Sequence, residues 1–146
     1  MSKSYTMQYQ ARASEIETEA YIFPCFEVGK LPTAKYYTPN AGWDTGSERS
    51  IISQDVAKAL HLQSLGKVEM QGIGQEQGDL YKVAIALPNG HVYHDFYVYG
   101  LNIMDYDLLI GMDIIAECDL AITNKDGRTT FSVRTPSQTT IDFEKE

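Results

Sequence analysis

Ala41-Gly42-Trp43-Asp44-Thr45-Gly46-Ser47 runs through Glu48 and Arg49 into Ser50-Ile51-Ile52-Ser53, and much later the chain reads Leu108-Leu109-Ile110-Gly111-Met112-Asp113-Ile114-Ile115. In the first stretch one carboxylate stands between an apolar residue and a Thr-Gly-Ser turn. In the second an aliphatic triplet ends on a glycine. Asp-Thr-Gly alone arises by chance, and glycine-ended aliphatic runs occur in many β proteins. Their order carries more weight, because a glycine-tipped hairpin signal, Gly72-Ile73-Gly74, lies between them.

Outward from this frame the chain reads as short strands. Ser53 can cap a brief helix within DVAKALHL (55–62), with Asp55 in its first turn and Val56, Ala59 and Leu60 on one face. From Lys67 onward strand patterns are punctuated by Gly72-Ile73-Gly74 and by Asn89-Gly90, a strong two-residue hairpin signal. YDLLIG (106–111) is a short apolar run. DIIAEC (113–118) reads as a short helix with Asp113 as its cap, and Asp126-Gly127 as a turn between LAIT (120–123) and TTFSV (129–133). Toward the N-terminus, GKLPTAKYYTPN (29–40) reads as a loop. YIFPCFEV (21–28) reads as an edge strand, because Pro24 has no N–H for a ladder. Residues 1–20 are polar, yet Tyr5, Met7, Tyr9 and Ala11 alternate at period two, which suits either a pairing arm or a flexible tail. The expectation is an N-terminal arm or tail over 1–20 and one mainly β domain over 21–146, with one or two short helices.

Composition excludes several function classes. The 146 residues carry 43% hydrophobic and 11% aromatic side chains, enough for a single core. A net charge of −8 argues against a nucleic-acid partner, since phosphate binding needs a basic face. No apolar run approaches the roughly 20 residues of a membrane span. MSKSYTMQYQARASEIETEA (1–20) has no apolar core for a signal peptide, so a cytoplasmic protein is expected. Cys25 and Cys118 stand far apart and are read as buried thiols. His91 and His94 would point to opposite faces of a strand, so no shared metal is expected. His61 sits at a helix end, where a cation is favoured anyway. Asp105 and Asp107 suit a solvated loop better than a cation site. Gly72-Ile73-Gly74 lacks the following helix of a phosphate cradle, no G-x-S-x-G elbow is present, and no cofactor is expected.

In this order, Asp-Thr-Gly-Ser, a glycine-tipped hairpin and an aliphatic-Gly segment leading into a helix resemble the retropepsin-like aspartic peptidases. The likeness is closest to the bacterial single-domain members, which are similar in having Trp before the Asp and an L-I-G-M-D-I-I run, here 109–115. It covers about residues 40–135 and leaves 1–20 without a counterpart. It implies a mainly β acid-protease fold that is an obligate homodimer. Asp44 would be the catalytic carboxylate. Thr45 would lock paired loops, Gly46 would admit substrate close to the backbone, and Ser47 would complete the active-site loop. Gly72, Ile73 and Gly74 would form a flap tip over substrate, while Ile110 and Gly111 would support the Asp44 loop. Hydrolysis by water needs a base and an acid, which two carboxyls sharing one proton supply. The chain holds one such motif, so the second carboxyl must come from another copy across a two-fold axis. The implied partners are therefore the chain itself and a peptide or protein substrate, with no metal and no cofactor. The alternative is a catalytically inactive peptide-binding or dimerisation module of the same fold. Two finer expectations follow. The Ser47 hydroxyl is expected to donate to the ionised carboxylate and lower the apparent pKa of the pair, the alternative being a bond to a backbone group. By resemblance, Thr130 to Val133 contribute to the dimer interface.

Overall fold

Strands form where β-branched and aromatic residues alternate, and here two sheets result. The computed structural model describes residues 2–70 and 76–146. The larger sheet contains β2 (Glu17–Pro24), β3 (Tyr36–Trp43), β4 (Ile51–Ser53), β5 (Lys67–Met70), β6 (Glu76–Ala86), β7 (Val92–Leu101) and β8 (Leu108–Ile110). Its order is β2-β3-β8-β4-β7-β6-β5, and β2 also pairs with β6, so the sheet closes on itself and β5 extends beyond the ring. Inside pack Ile22, Ile52, Val83, Val98, Leu108 and Ile110, all at 0% exposure. The architecture is mainly β with two short helices, α1 (Gln54–Ala59) and α2 (Met112–Ile115).

Closure overturns one expectation. β2 runs over 17–24 rather than 21–28 and bonds neighbours on both sides, so it is not an edge strand. Pro24 is tolerated because it occupies the last position, where a missing N–H costs the ladder little. A second correction concerns 29–40, of which the latter part belongs to β3. Tyr36, Tyr37 and Thr38 are good strand formers, and Pro39 fits because the register with β2 shifts between Thr38 and Ala41.

α1 starts as expected: the Ser53 hydroxyl accepts from the Val56 N–H at 3.2 Å. Its apolar face turns toward Ala57, which is buried, and away from Ala59, which is exposed. α2 departs from expectation. Gly111, not Asp113, is its N-cap and has no side chain to bond the helix; Asp113 lies within the first turn, and its carboxylate accepts from Ser50 instead. The Asn89-Gly90 signal does mark the β6–β7 turn, where Gly90 takes φ +87°.

The smaller sheet is β1 (Lys3–Gln8), β10 (Thr130–Thr135) and β9 (Asp119–Thr123), antiparallel in the order β1-β10-β9. Part of the polar N-terminal stretch is thus a strand, with Tyr5 and Met7 half-buried between exposed neighbours. Phe131 of β10 is fully buried, and its ring meets Trp43 at 5.1 Å between centroids, which ties this sheet to the strand before Asp44. Both cysteines are free; Cys25 is exposed rather than buried and Cys118 half-buried. No helix of the described residues is long and apolar enough to cross a membrane.

The base of the β5–β6 hairpin is fastened to α1 through one carboxylate. Asp79 accepts from Lys67 Nζ at 2.9 Å, Ser64 Oγ at 2.8 Å and Gln54 Nε2 at 2.8 Å. Lys67 first, then Ser64 and Gln54, hold the Asp79 carboxyl at about 2, below the ordinary carboxylate range. Because the folded value is depressed, the stabilisation is present in full above the unfolded value near about 3.9 and is lost as pH falls toward about 2. Urea titrations should therefore find Asp79→Asn less stable than wild type at neutral pH, with the gap closing in acid. A gap independent of pH would refute the assignment.

Candidate active site

β3 and β8 run parallel, with Trp43 beside Ile110, so the residues that follow each strand emerge side by side. That register brings the Asp44 loop and the Gly111 loop together. The Asp44 N–H donates to the Ile110 carbonyl at 2.8 Å. The loop then turns tightly: the Ser47 N–H reaches the Asp44 carbonyl at 3.2 Å, and the Gly46 N–H donates to Asp44 Oδ1 at 2.9 Å. One carboxylate oxygen is fixed by its own loop, and Asp44 is half-buried. Among the described residues no second carboxyl hydrogen-bonds it.

Gly111 lies directly beneath this loop. A Cβ on it would stand 2.7 Å from the Ser47 carbonyl oxygen and 2.9 Å from that of Arg49, both rigid backbone atoms. Two further bonds seal the contact, from Met112 N–H to Ser47 O at 2.7 Å and from Asp113 N–H to Glu48 O at 3.1 Å. The Ser47 hydroxyl does not turn to the carboxylate. It donates to the Arg49 carbonyl at 2.7 Å, which corrects the expectation that it tunes Asp44 and leaves it as a brace of the loop. Thr45 is exposed at the tip.

Two open cavities flank Asp44. One, of about 780 Å³, lies between Trp43, Tyr106, Leu109 and Ile122, with Arg12 to Ile16 forming a wall. The Trp43 N–H bonds the Ile16 carbonyl at 3.0 Å, and Ala13 N–H bonds Thr129 Oγ1 at 2.8 Å, so this wall is anchored at both ends. Tyr106 packs over Gly42; burial first, then the Glu15 carboxylate, push its phenol up to about 12, so it stays a neutral hydroxyl. The other cavity, of about 750 Å³, is bounded by Gly46, Arg49, Glu69, Met70 and Tyr99. There the Arg49 guanidinium lies over the Tyr99 ring, 5.2 Å from its centroid. β5 thus carries Glu69 and Met70 up to the Asp44 loop. Gly72, Ile73 and Gly74, expected at a flap tip, lie outside the described residues.

Asp44, Thr45, Gly46, Ser47, Ile110 and Gly111 are therefore brought into one neighbourhood. Three contributors escape a sequence reading: the Arg12–Ile16 wall, Tyr106, and the Asp113–Ser50 contact. Tyr106 and Asp113 border the LLIG run and were within reach. Nothing in residues 12–16 signals where they dock. Elsewhere, His94 packs edge-on against Phe26, 4.9 Å between ring centroids, and His91 against Tyr93. Asp107 accepts the Tyr36 hydroxyl at 3.3 Å. No group of three metal-ligating side chains occurs among the described residues.

No protein-family model matches the chain, and no curated protein matches it. Among solved structures, it is similar to the crystal structure of a retropepsin-like aspartic protease from Rickettsia conorii. The TM-score is 0.55 at 10% sequence identity, covering 92% of this chain and 96% of that one. At that identity the likeness establishes the fold, which is retropepsin-like over nearly the whole length.

Proposed function

We propose that this chain is one half of an aspartic endopeptidase, completed when a second copy sets its own Asp44 beside the first. The observation that carries the reading is the position of Asp44. It sits on a tight loop held by Ile110 and packed on Gly111, with open cavities on both sides able to receive an extended peptide. One carboxylate takes a proton from water, whose oxygen attacks the peptide carbonyl carbon. The other carboxyl gives its proton to the carbonyl oxygen. The tetrahedral diol then collapses: one diol hydroxyl passes its proton to the ionised carboxylate, the C–N bond breaks, and the nitrogen leaves with the proton that the first carboxyl took from water. No covalent enzyme intermediate forms.

The second copy is needed because a lone carboxylate cannot be base and acid in the same step. The small sheet suggests how it attaches. β10 is flanked by β1 and β9, so its backbone groups are used within the chain. Thr130 to Val133 therefore have no free edge to offer, and any contribution of theirs must come through side chains. Of the two outer strands, β9 carries Ile122, which is 48% exposed and borders the same cavity as Asp44. We infer that the partner packs on the β9 side, because Ile122 offers an exposed apolar contact beside the Asp44 cavity.

Incubation with a diverse peptide library followed by mass spectrometry tests the activity and separates an enzyme from an inactive binding module. Dilution tests the dimer. Obligate interfaces bury at least about 2,000 Å², and specific activity should fall as protomers separate, in step with the sedimenting dimer fraction. A proven monomer with full specific activity would refute the half-site reading.

A further inference from the structure

We propose that Asp113 is the positioning residue of the Asp44 loop, acting through Ser50 and Gly111. This inference rests on the reading of Asp44 as the catalytic carboxylate. The Asp113 carboxylate takes both donors of one residue: Oδ2 accepts the Ser50 N–H at 2.8 Å and Oδ1 the Ser50 hydroxyl at 2.7 Å. Ser50 Oγ in turn accepts the Gly111 N–H at 3.0 Å. Ser50 is 0% exposed, so these groups have no water to fall back on. Hydrogen bonds to an ionised acceptor are about twice as strong as neutral ones, and two converge here.

The connectivity gives the contact its meaning. Ser50 is where the Asp44 loop re-enters the barrel, and Gly111 is the residue on which that loop rests. Asp113 clamps both. Ile110, next to Gly111, holds the Asp44 N–H at 2.8 Å. The path from Asp113 to Asp44 thus runs Asp113, Ser50, Gly111, Ile110, Asp44, with every link between residues a hydrogen bond except the peptide bond joining 110 and 111. A role confined to α2 does not explain this arrangement. The helix has four residues and takes no side-chain cap, so the carboxylate is directed away from the element that carries it. Asp113 also borders the cavity of about 750 Å³ that Asp44 shares, although it touches no substrate in this assignment.

The test compares Asp113→Ala, Asp113→Asn, Ser50→Ala and the double variant Ser50→Ala/Asp113→Ala in the full chain. A misplacement of about 1 Å at a reacting group costs on the order of 100-fold. Asp113→Ala should accordingly lower kcat by about 10- to 100-fold, with KM changed by less than about threefold. Asp113→Asn, which keeps one acceptor oxygen, should recover part of the loss. The double variant should be little worse than Asp113→Ala alone, because both residues serve one link. Hydrogen exchange gives a reading independent of turnover: amides of Gly46, Ser47 and Gly111 should exchange faster in Asp113→Ala while those of β6 and β7 stay as in wild type. Should Asp113→Ala not fold, Asp113→Asn and Ser50→Ala carry both measurements. Unchanged exchange at those amides, an effect on KM alone, or additive losses in the double variant would overturn the proposal. If the wild-type chain cleaves no peptide, the peptidase reading falls, and exchange still decides whether Asp113 holds the loop.

Discussion

Asp44→Asn is expected to lower kcat by at least about 10³-fold while leaving a folded protein, in line with the 10²–10⁴-fold usually lost with a positioned acid or base. The fold should survive because the loop depends on groups that asparagine keeps. The residue 44 N–H still reaches the Ile110 carbonyl, and an amide oxygen can still accept from the Gly46 N–H in place of Asp44 Oδ1. What vanishes is the ionisable oxygen pair. In a dimer of the variant neither copy can take a proton from water, and no shared proton remains for the carbonyl oxygen. Circular dichroism and sedimentation should match wild type, and peptide turnover should be lost. Turnover at the wild-type rate in this variant would remove Asp44 from the mechanism.

The second large effect is expected at Gly111. Its substitution by Ala places a Cβ 2.7 Å from Ser47 O, 2.8 Å from Arg49 C and 2.9 Å from Arg49 O. No side-chain rotation relieves such contacts, since all three atoms are backbone. Either the Asp44 loop lifts or β8 shifts, at about 1–3 kcal/mol for overpacking. A lifted loop also displaces Asp44, so kcat should fall on the order of 100-fold beyond any loss of folded protein. Gly90→Ala is the fitting control. It meets nothing within 4 Å and loses only the ease of its positive φ, so activity per folded molecule should stay unchanged. Urea unfolding measured beside kcat separates the two consequences. Equal behaviour of the two variants would show that Gly111 does not support the loop.

Much of the site was legible because its signals are local. Ser53 caps a helix through its own hydroxyl three residues back from Val56. Asn89-Gly90 turns a hairpin, again without reference to distant residues. Asp44 stood out through motif order, an Asp-Thr-Gly-Ser turn followed along the chain by a glycine-tipped hairpin signal and an aliphatic-Gly run. Expectations failed where a residue's environment comes from elsewhere in the chain. Asp113 reads as a helix cap until Ser50, from another strand end, offers it two donors. Ser47 is a local exception: its hydroxyl donates to the carbonyl of Arg49, two residues on, in place of the carboxylate.

From sequence alone, then, came the mainly β character, the short helices and the turns. These follow from side-chain period, backbone freedom and capping, which act over a few residues. The pairing of the Asp-Thr-Gly loop with Gly111 was implied by the resemblance to the retropepsin-like peptidases. Only the tertiary structure decided that β2 closes the barrel against β6, that β1 docks on β10, and that Arg12 to Ile16 wall the cavity beside Asp44. Strand pairing is the reason. Any exposed ladder of N–H and C=O groups can accept any other, so the partner is chosen by register and by the core that each pairing buries, and both are properties of the whole chain.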